Sequence, residues 1–183
     1  MNLPNIMTTS RIVLIPVFVA CAILAPGRWG LLLSTAVFGV AALTDWADGY
    51  LARTRGEMTP FGRFFDPVAD KLLVLSALLL LLAEGHAPLG LVLLITGREI
   101  IIMALREYMA GLKSSVPVSL VGKWKTAFQM TAIILLMLRD GLPFLPWSLE
   151  SLGVGCLYVA TFLSLWSGYD YMADAWPRIR AES

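Results

Sequence analysis

Along the chain, long stretches without a formal charge alternate with short polar segments. The uncharged runs cover residues 12–27, 29–44, 72–83, 85–97, 126–138 and 151–169. Only the last approaches the ~20 apolar residues that cross a bilayer unaided. The other runs are 12 to 16 residues long, so each spans a bilayer only if its helix continues through charged positions. The second run extends through Asp45 and Asp48, the third back to Asp66 and Asp70, the fourth on through Arg98 and Arg106, and the fifth back to Lys123 and Lys125. Every extension points to the same end of the protein. Ionisable groups at membrane depth are costly and face a cavity or a partner, so this end is expected to hold a polar cavity.

The pattern predicts an all-α, integral membrane bundle of six transmembrane helices, one domain over residues 1–183. Residues 1–10, with Leu3, Pro4, Ile6 and Met7, predict a short N-terminal interfacial helix. Residues 12–27 follow Arg11 as the core of a leader would, but no small-residue cleavage pattern comes after them. They are expected to form the first span. Gly and Pro punctuate the connections at 25–27, 87–90 and 141–146.

Composition sharpens this picture. Hydrophobic residues make up 58% and charged residues 15% of the 183, against ~45–50% and ~25% in soluble domains. The net charge of +1 supplies no basic field for nucleic acid. A single histidine excludes a His-rich zinc site, and Cys21 and Cys156 lie inside apolar runs. Twelve of the 14 Lys and Arg residues fall on or near the side that holds both termini, with Arg28 and Arg139 opposite. By the positive-inside rule that side is cytoplasmic, which predicts a multi-pass protein with its cavity and both termini in the cytoplasm.

Four of the seven aspartates lie between positions 45 and 70. Asp45 and Asp48 are three apart, Asp66 and Asp70 four apart, so each pair shares a helix face. Antiparallel helices joined by a short link, here rich in Gly, Thr and Pro, bring the two faces together. Four carboxylates cannot all stay charged there without compensation. All-oxygen ligation suits Mg²⁺, Mn²⁺ or Ca²⁺ and disfavours zinc, and two such ions suit a phosphoryl centre. Gly49 permits close approach by a ligand, Arg53 is within reach of a phosphate, and Gly62 opens the third span to close packing.

The segment fits D-x2-D-G-x2-A-R-x8-G-x3-D-x3-D at Asp45, Asp48, Gly49, Ala52, Arg53, Gly62, Asp66 and Asp70. This resembles the signature of the CDP-alcohol phosphatidyltransferases. The resemblance implies a six-span membrane fold, usually homodimeric, that displaces CMP from a CDP-linked lipid by attack of an alcohol. It implies that Asp45, Asp48, Asp66 and Asp70 hold two Mg²⁺ or Mn²⁺ ions, and that Asp70, with Asp66 beside it, is catalytic, Asp70 acting as base. It assigns Asp48, Gly49, Ala52, Arg53 and Gly62 to the cytidine-diphosphate pocket. Asn5 and Thr8, with Arg11, resemble the family's N-terminal segment. The texture of 3–18, 44–56, 61–74, 98–110 and 121–130 resembles members that use CDP-diacylglycerol and sn-glycerol 3-phosphate in phosphatidylglycerol synthesis in a bacterial inner membrane.

The acceptor has its own physical signal. Arg98 and Arg106 fall along one helical stripe, and Lys123 and Lys125 open the next span. Glycerol 3-phosphate carries close to two negative charges, and these four residues are the expected acceptor-phosphate site. Inositol phosphate would satisfy the same logic, so charge leaves that acceptor open; serine within the same family is a further alternative. A small cation transporter is the alternative from another class, but it requires polar groups through the midplane, which the uncharged stretches lack. A bland alternative pairs Arg98 with Glu99 and Arg106 with Glu107. Trp29, Trp147, Trp166, Trp176 and Tyr171 are expected as interfacial anchors.

Overall fold

The structure is a computed structural model describing residues 3–25, 28–55, 60–111, 120–139 and 148–180; within these, the side chains of 3–12, 28, 45–55, 60–66 and 148 lie outside the description. The described residues form six α-helices and no strand: α1 Leu3–Leu24, α2 Arg28–Arg55, α3 Pro60–Ala83, α4 Leu89–Gly111, α5 Leu120–Leu138 and α6 Ser148–Arg180. The uncharged runs do continue through charged residues. Helix α2 carries on past Asp45 and Asp48, and α3 begins before Asp66.

One expectation needs correction. A short separate N-terminal helix is not formed, because residues 3–24 make a single helix. Pro4 falls in the first turn, where its missing N–H costs nothing, and nothing between it and Arg11 breaks the helix. Among the described residues, one helical stretch, Leu149–Arg180, is long and apolar enough by itself to qualify as a membrane crossing, with shorter apolar stretches at Val13–Leu24 and Trp29–Thr44.

Helix α1 packs on α2 and α3, α5 packs along α6, and α4 leans on α6. The main core joins Phe18, Phe38, Leu78, Leu81, Ile133 and Leu136, all at most 1% exposed. Ser34 sits where α1 meets α2, its hydroxyl proton shared between its own-turn Gly30 carbonyl at 2.8 Å and the Phe18 carbonyl at 3.3 Å. Helix α6 approaches α5 closely at Gly153, where a Cβ would meet Leu136 at 2.8 Å. Helix α3 ends in a Schellman turn: Gly85 takes φ +78°, His86 N–H donates to the Leu81 carbonyl and Gly85 N–H to the Leu82 carbonyl. Many large apolar side chains point outward, including Leu24, Leu43, Leu93 and Phe162, each at least 61% exposed.

Near the C-terminal end of α4 a smaller second core forms from Ile102, Met109, Tyr171 and Ala175. It fixes the last turns of α6 against the polar end of α4. That contact positions the site described next.

Candidate active site

Asp45, Asp48, Gly49, Ala52 and Arg53 all lie on α2, and Gly62, Asp66 and Asp70 on α3. The two helices run consecutively and touch. The helical register therefore puts Asp45 and Asp48 on one face of α2, and Asp66 and Asp70 on one face of α3. The side chains of all these residues except Asp70 lie outside the description, as do those of Asn5 and Thr8 on α1. Among the described side chains no group of three His, Cys, Asp or Glu forms, and Asp70 is the member of the expected metal set that falls within them. Its side chain is 29% exposed, with Oδ2 3.3 Å from Lys71 Nζ. The donor set fits a hard divalent cation, because every candidate ligand is a carboxylate oxygen.

Beyond Asp70 lies a buried ion cluster. Glu99 on α4 is 8% exposed. Its Oε2 accepts Lys71 Nζ at 2.8 Å, and its Oε1 accepts Arg98 Nη1 at 3.0 Å together with Lys125 Nζ from α5. Lys71 thus touches both Asp70 and Glu99, linking α3 to α4. Desolvating charges costs several kcal/mol per ion, and the cluster's attraction repays that only with good geometry. Apolar residues of similar volume often serve stability as well or better, so this cluster points to a role beyond holding helices together.

Arg98 is tethered on every nitrogen. Besides Glu99, its Nε donates to the Ser164 carbonyl at 2.9 Å and its Nη2 to Ser167 Oγ at 2.9 Å, both on α6. A guanidinium has five N–H donors, so two remain. Arg106 takes a different neighbour: its guanidinium carbon lies 5.4 Å from the centre of the Tyr171 ring, a cation–π distance. The alternative pairing is therefore half realised. Arg98 does pair with Glu99, whereas Arg106 lies over Tyr171. The interfacial role expected for Tyr171 is also corrected: it is 7% exposed and belongs to the second core, because Arg106 covers its ring. Trp29, Trp166 and Trp176 are exposed, and Trp147 lies outside the described residues.

A cavity of about 450 Å³ opens where these groups meet. Among the described residues its ionisable lining is Lys71, Arg98, Arg106 and Lys125 against Glu99 and Glu107. Among the described side chains four cations meet Glu99, Glu107 and, through Lys71, Asp70, an excess of positive charge that suits a phosphate monoester. Of the four expected acceptor cations, the structure brings Arg98, Arg106 and Lys125 together and leaves Lys123 off the cavity wall, on the exposed side of α5. Lys123 and Lys125 are two apart on a helix and cannot share a face; Lys125 takes the buried side, 3% exposed. Lys71 was not among the expected cavity cations, because its place in the wall depends on α4 bringing Glu99 to it.

A smaller apolar pocket of about 140 Å³ adjoins the cavity between α3, α4 and α5, sharing Lys71 and Glu99 in its wall. On the opposite end of the molecule, Arg139 bonds Glu150 at 2.5 Å and meets His86 Nε2 at 2.7 Å, tying the α3–α4 turn to α5 and α6. That cluster joins the ends of three helices and is structural in character.

Comparison with known proteins agrees with the signature. A family model described as CDP-alcohol phosphatidyltransferase matches residues 1–166. A Pseudomonas fluorescens protein named CDP-diacylglycerol–glycerol-3-phosphate 3-phosphatidyltransferase is 45% identical, covering 100% of this chain and 94% of its own. Proteins of the same name from Salmonella paratyphi A and Shigella flexneri are each 44% identical, covering 95% of this chain and 94% of theirs. Ser167 and Tyr171, which contact Arg98 and Arg106, fall just past the stretch matched by the family model.

Proposed function

This chain belongs to the CDP-alcohol phosphatidyltransferase family, and we propose that it transfers the phosphatidyl group of CDP-diacylglycerol to sn-glycerol 3-phosphate, releasing phosphatidylglycerophosphate and CMP. The observation that carries the acceptor assignment is the cavity lined by Lys71, Arg98, Arg106 and Lys125, joined to Asp70 through Lys71. An uncharged or zwitterionic acceptor such as serine gives no use to this excess of cations. The names of near full-length relatives support the same acceptor over inositol phosphate.

In this reading Asp48, Gly49, Ala52, Arg53 and Gly62 cradle the cytidine diphosphate. Asp45, Asp48 and Asp66, with Asp70, would hold Mg²⁺ or Mn²⁺, which would supply positive charge to offset that of the diphosphate. The cavity cations hold the acceptor phosphate and aim its free 1-hydroxyl at Asp70. Asp70 takes the hydroxyl proton as general base. The alkoxide oxygen bonds to the β-phosphorus in line, the bond from that phosphorus to the bridging oxygen breaks, and the electron pair leaves with CMP. Positioning by the cavity is a large part of the rate, because it makes the step effectively unimolecular.

The chain is read as a single domain with six spans in a bacterial inner membrane, its first turns at the interface and its site and both termini in the cytoplasm. Helices of 19 to 33 residues run about 28–50 Å at 1.5 Å per residue, from just under to well over a hydrocarbon core of ~30 Å. The outward apolar side chains suit lipid and, on one face, a second copy in a homodimer. Detergent-purified protein given CDP-diacylglycerol, Mg²⁺ and separate acceptors tests the reading. CMP release is expected with glycerol 3-phosphate and not with serine, glycerol or inositol; equal release with an uncharged alcohol would reject it.

A further inference from the structure

We infer that Ser167 on α6 is a positioning residue for the acceptor: it sets the plane of the Arg98 guanidinium and thereby selects a phosphorylated alcohol. This deepens the acceptor reading above and rests on it.

The reasoning begins with how an arginine selects. Guanidinium recognises phosphate as a planar fork, with its N–H groups held in fixed directions. A freely rotating arginine supplies charge, whereas an oriented one supplies charge and direction. Arg98 is oriented by three separate tethers, and two of them come from α6. The Ser167 hydroxyl accepts from Arg98 Nη2 at 2.9 Å and donates to the Ser164 carbonyl at 3.2 Å. That same carbonyl accepts from Arg98 Nε at 2.9 Å. The side chain, the hydroxyl and the carbonyl therefore close a small hydrogen-bonded ring, and rotation of the guanidinium breaks two bonds at once.

The surroundings are built for this ring. Ser167 is 4% exposed, so water does not replace its hydroxyl. At Gly168 a Cβ would stand 3.0 Å from Arg98 Nε and 3.2 Å from its Cγ, and glycine leaves that space to the arginine. Glu99 fixes the third nitrogen from the other side. The two N–H groups left over belong to Nη1 and Nη2, and the Arg98 side chain forms part of the cavity wall. Losing the hydroxyl keeps the positive charge and frees one end of the fork, Nη2, from its tether. The expected consequence falls on acceptor binding and leaves the lipid substrate alone.

A double-mutant cycle decides the matter, using full-length protein in detergent and steady-state kinetics for both substrates. Ser167→Ala is expected to raise KM for glycerol 3-phosphate about three- to tenfold, the loss of one of several charge-assisted bonds. KM for CDP-diacylglycerol should stay within about twofold. Ser167→Thr, which keeps the hydroxyl, should restore the wild-type value, and Ser167→Cys, nearly isosteric with a weak hydrogen-bonding group, should behave as Ala does. In an Arg98→Ala background the Ser167→Ala change should have no further effect, because Ser167 acts through Arg98. If Arg98→Ala raises KM and Ser167→Ala and Ser167→Cys do not, or if the Ser167 effect persists without Arg98, the inference is overturned while the acceptor site stands. If Arg98→Ala itself leaves KM for glycerol 3-phosphate unchanged, the acceptor site lies elsewhere and both readings fall.

Discussion

Arg106 offers the cleanest separation of binding from folding. Among the described residues it forms no ion pair, lines the cavity, and rests on the Tyr171 ring at 5.4 Å. Arg106→Ala therefore removes a cavity cation without stranding a buried carboxylate. The structural loss is one cation–π contact, about 0.5–1 kcal/mol at an exposed site, or a fall in Tm of about 2–4 °C at most for a chain of this size. The functional loss is larger. A charge-assisted bond to phosphate is worth about 1.5–3 kcal/mol, which is roughly ten- to a hundredfold in affinity. Since the phosphate does not react, this energy serves mainly ground-state binding and positioning. KM for glycerol 3-phosphate should rise by that factor, with KM for CDP-diacylglycerol within about twofold and a smaller fall in kcat. Lys123→Ala is the matched control on the exposed side of α5, and it should leave both constants near wild type. The assay is CMP release against acceptor concentration in detergent, after a thermal melt shows folded protein. A folded Arg106→Ala enzyme with wild-type KM for glycerol 3-phosphate would refute the assignment of the cavity.

Glu99→Gln leaves Lys71, Arg98 and Lys125 facing one another without their shared carboxylate; breaking a buried pair costs about 3–5 kcal/mol, so a clear drop in thermal stability is expected, and an unchanged melt would contradict the cluster. Asp70→Asn should lower kcat by about 10²–10⁴-fold, the range of a general base, with CDP-diacylglycerol binding retained; wild-type kcat across the pH range would place the base elsewhere. Cysteines at positions 55 and 113 should label from the cytoplasm, and at 86 and 140 from the opposite side, and a reversed pattern would overturn the topology.

The helices were legible because uncharged runs and their charged extensions follow from the cost of burying ionisable groups. The extensions of α2 through Asp45 and Asp48 and of α3 back past Asp66 are seen as expected. The N-terminal break was not real, since Pro4 sits where a helix tolerates proline. Helical periodicity also put Arg98 and Arg106 on one stripe, and both reach the cavity. Periodicity says nothing about which helix will lie opposite. The role of Lys71 as a bridge, the burial of Lys125 in preference to Lys123, and the grip of Ser164 and Ser167 on Arg98 all depend on α3, α5 and α6 converging on α4. Tyr171 misled for the same reason: an aromatic near a span end reads as an interfacial anchor until its partner, Arg106, is known.

The central claim is that an acceptor phosphate bound among cations delivers a hydroxyl to a CDP-linked lipid beside Asp70. Its most direct test is to follow label from radioactive glycerol 3-phosphate into the lipid phase while counting CMP. Purified protein with CDP-diacylglycerol and Mg²⁺ should transfer one label per CMP released, and excess EDTA should stop both together. CMP release without label entering the lipid, or transfer that continues undiminished in EDTA, would contradict the account.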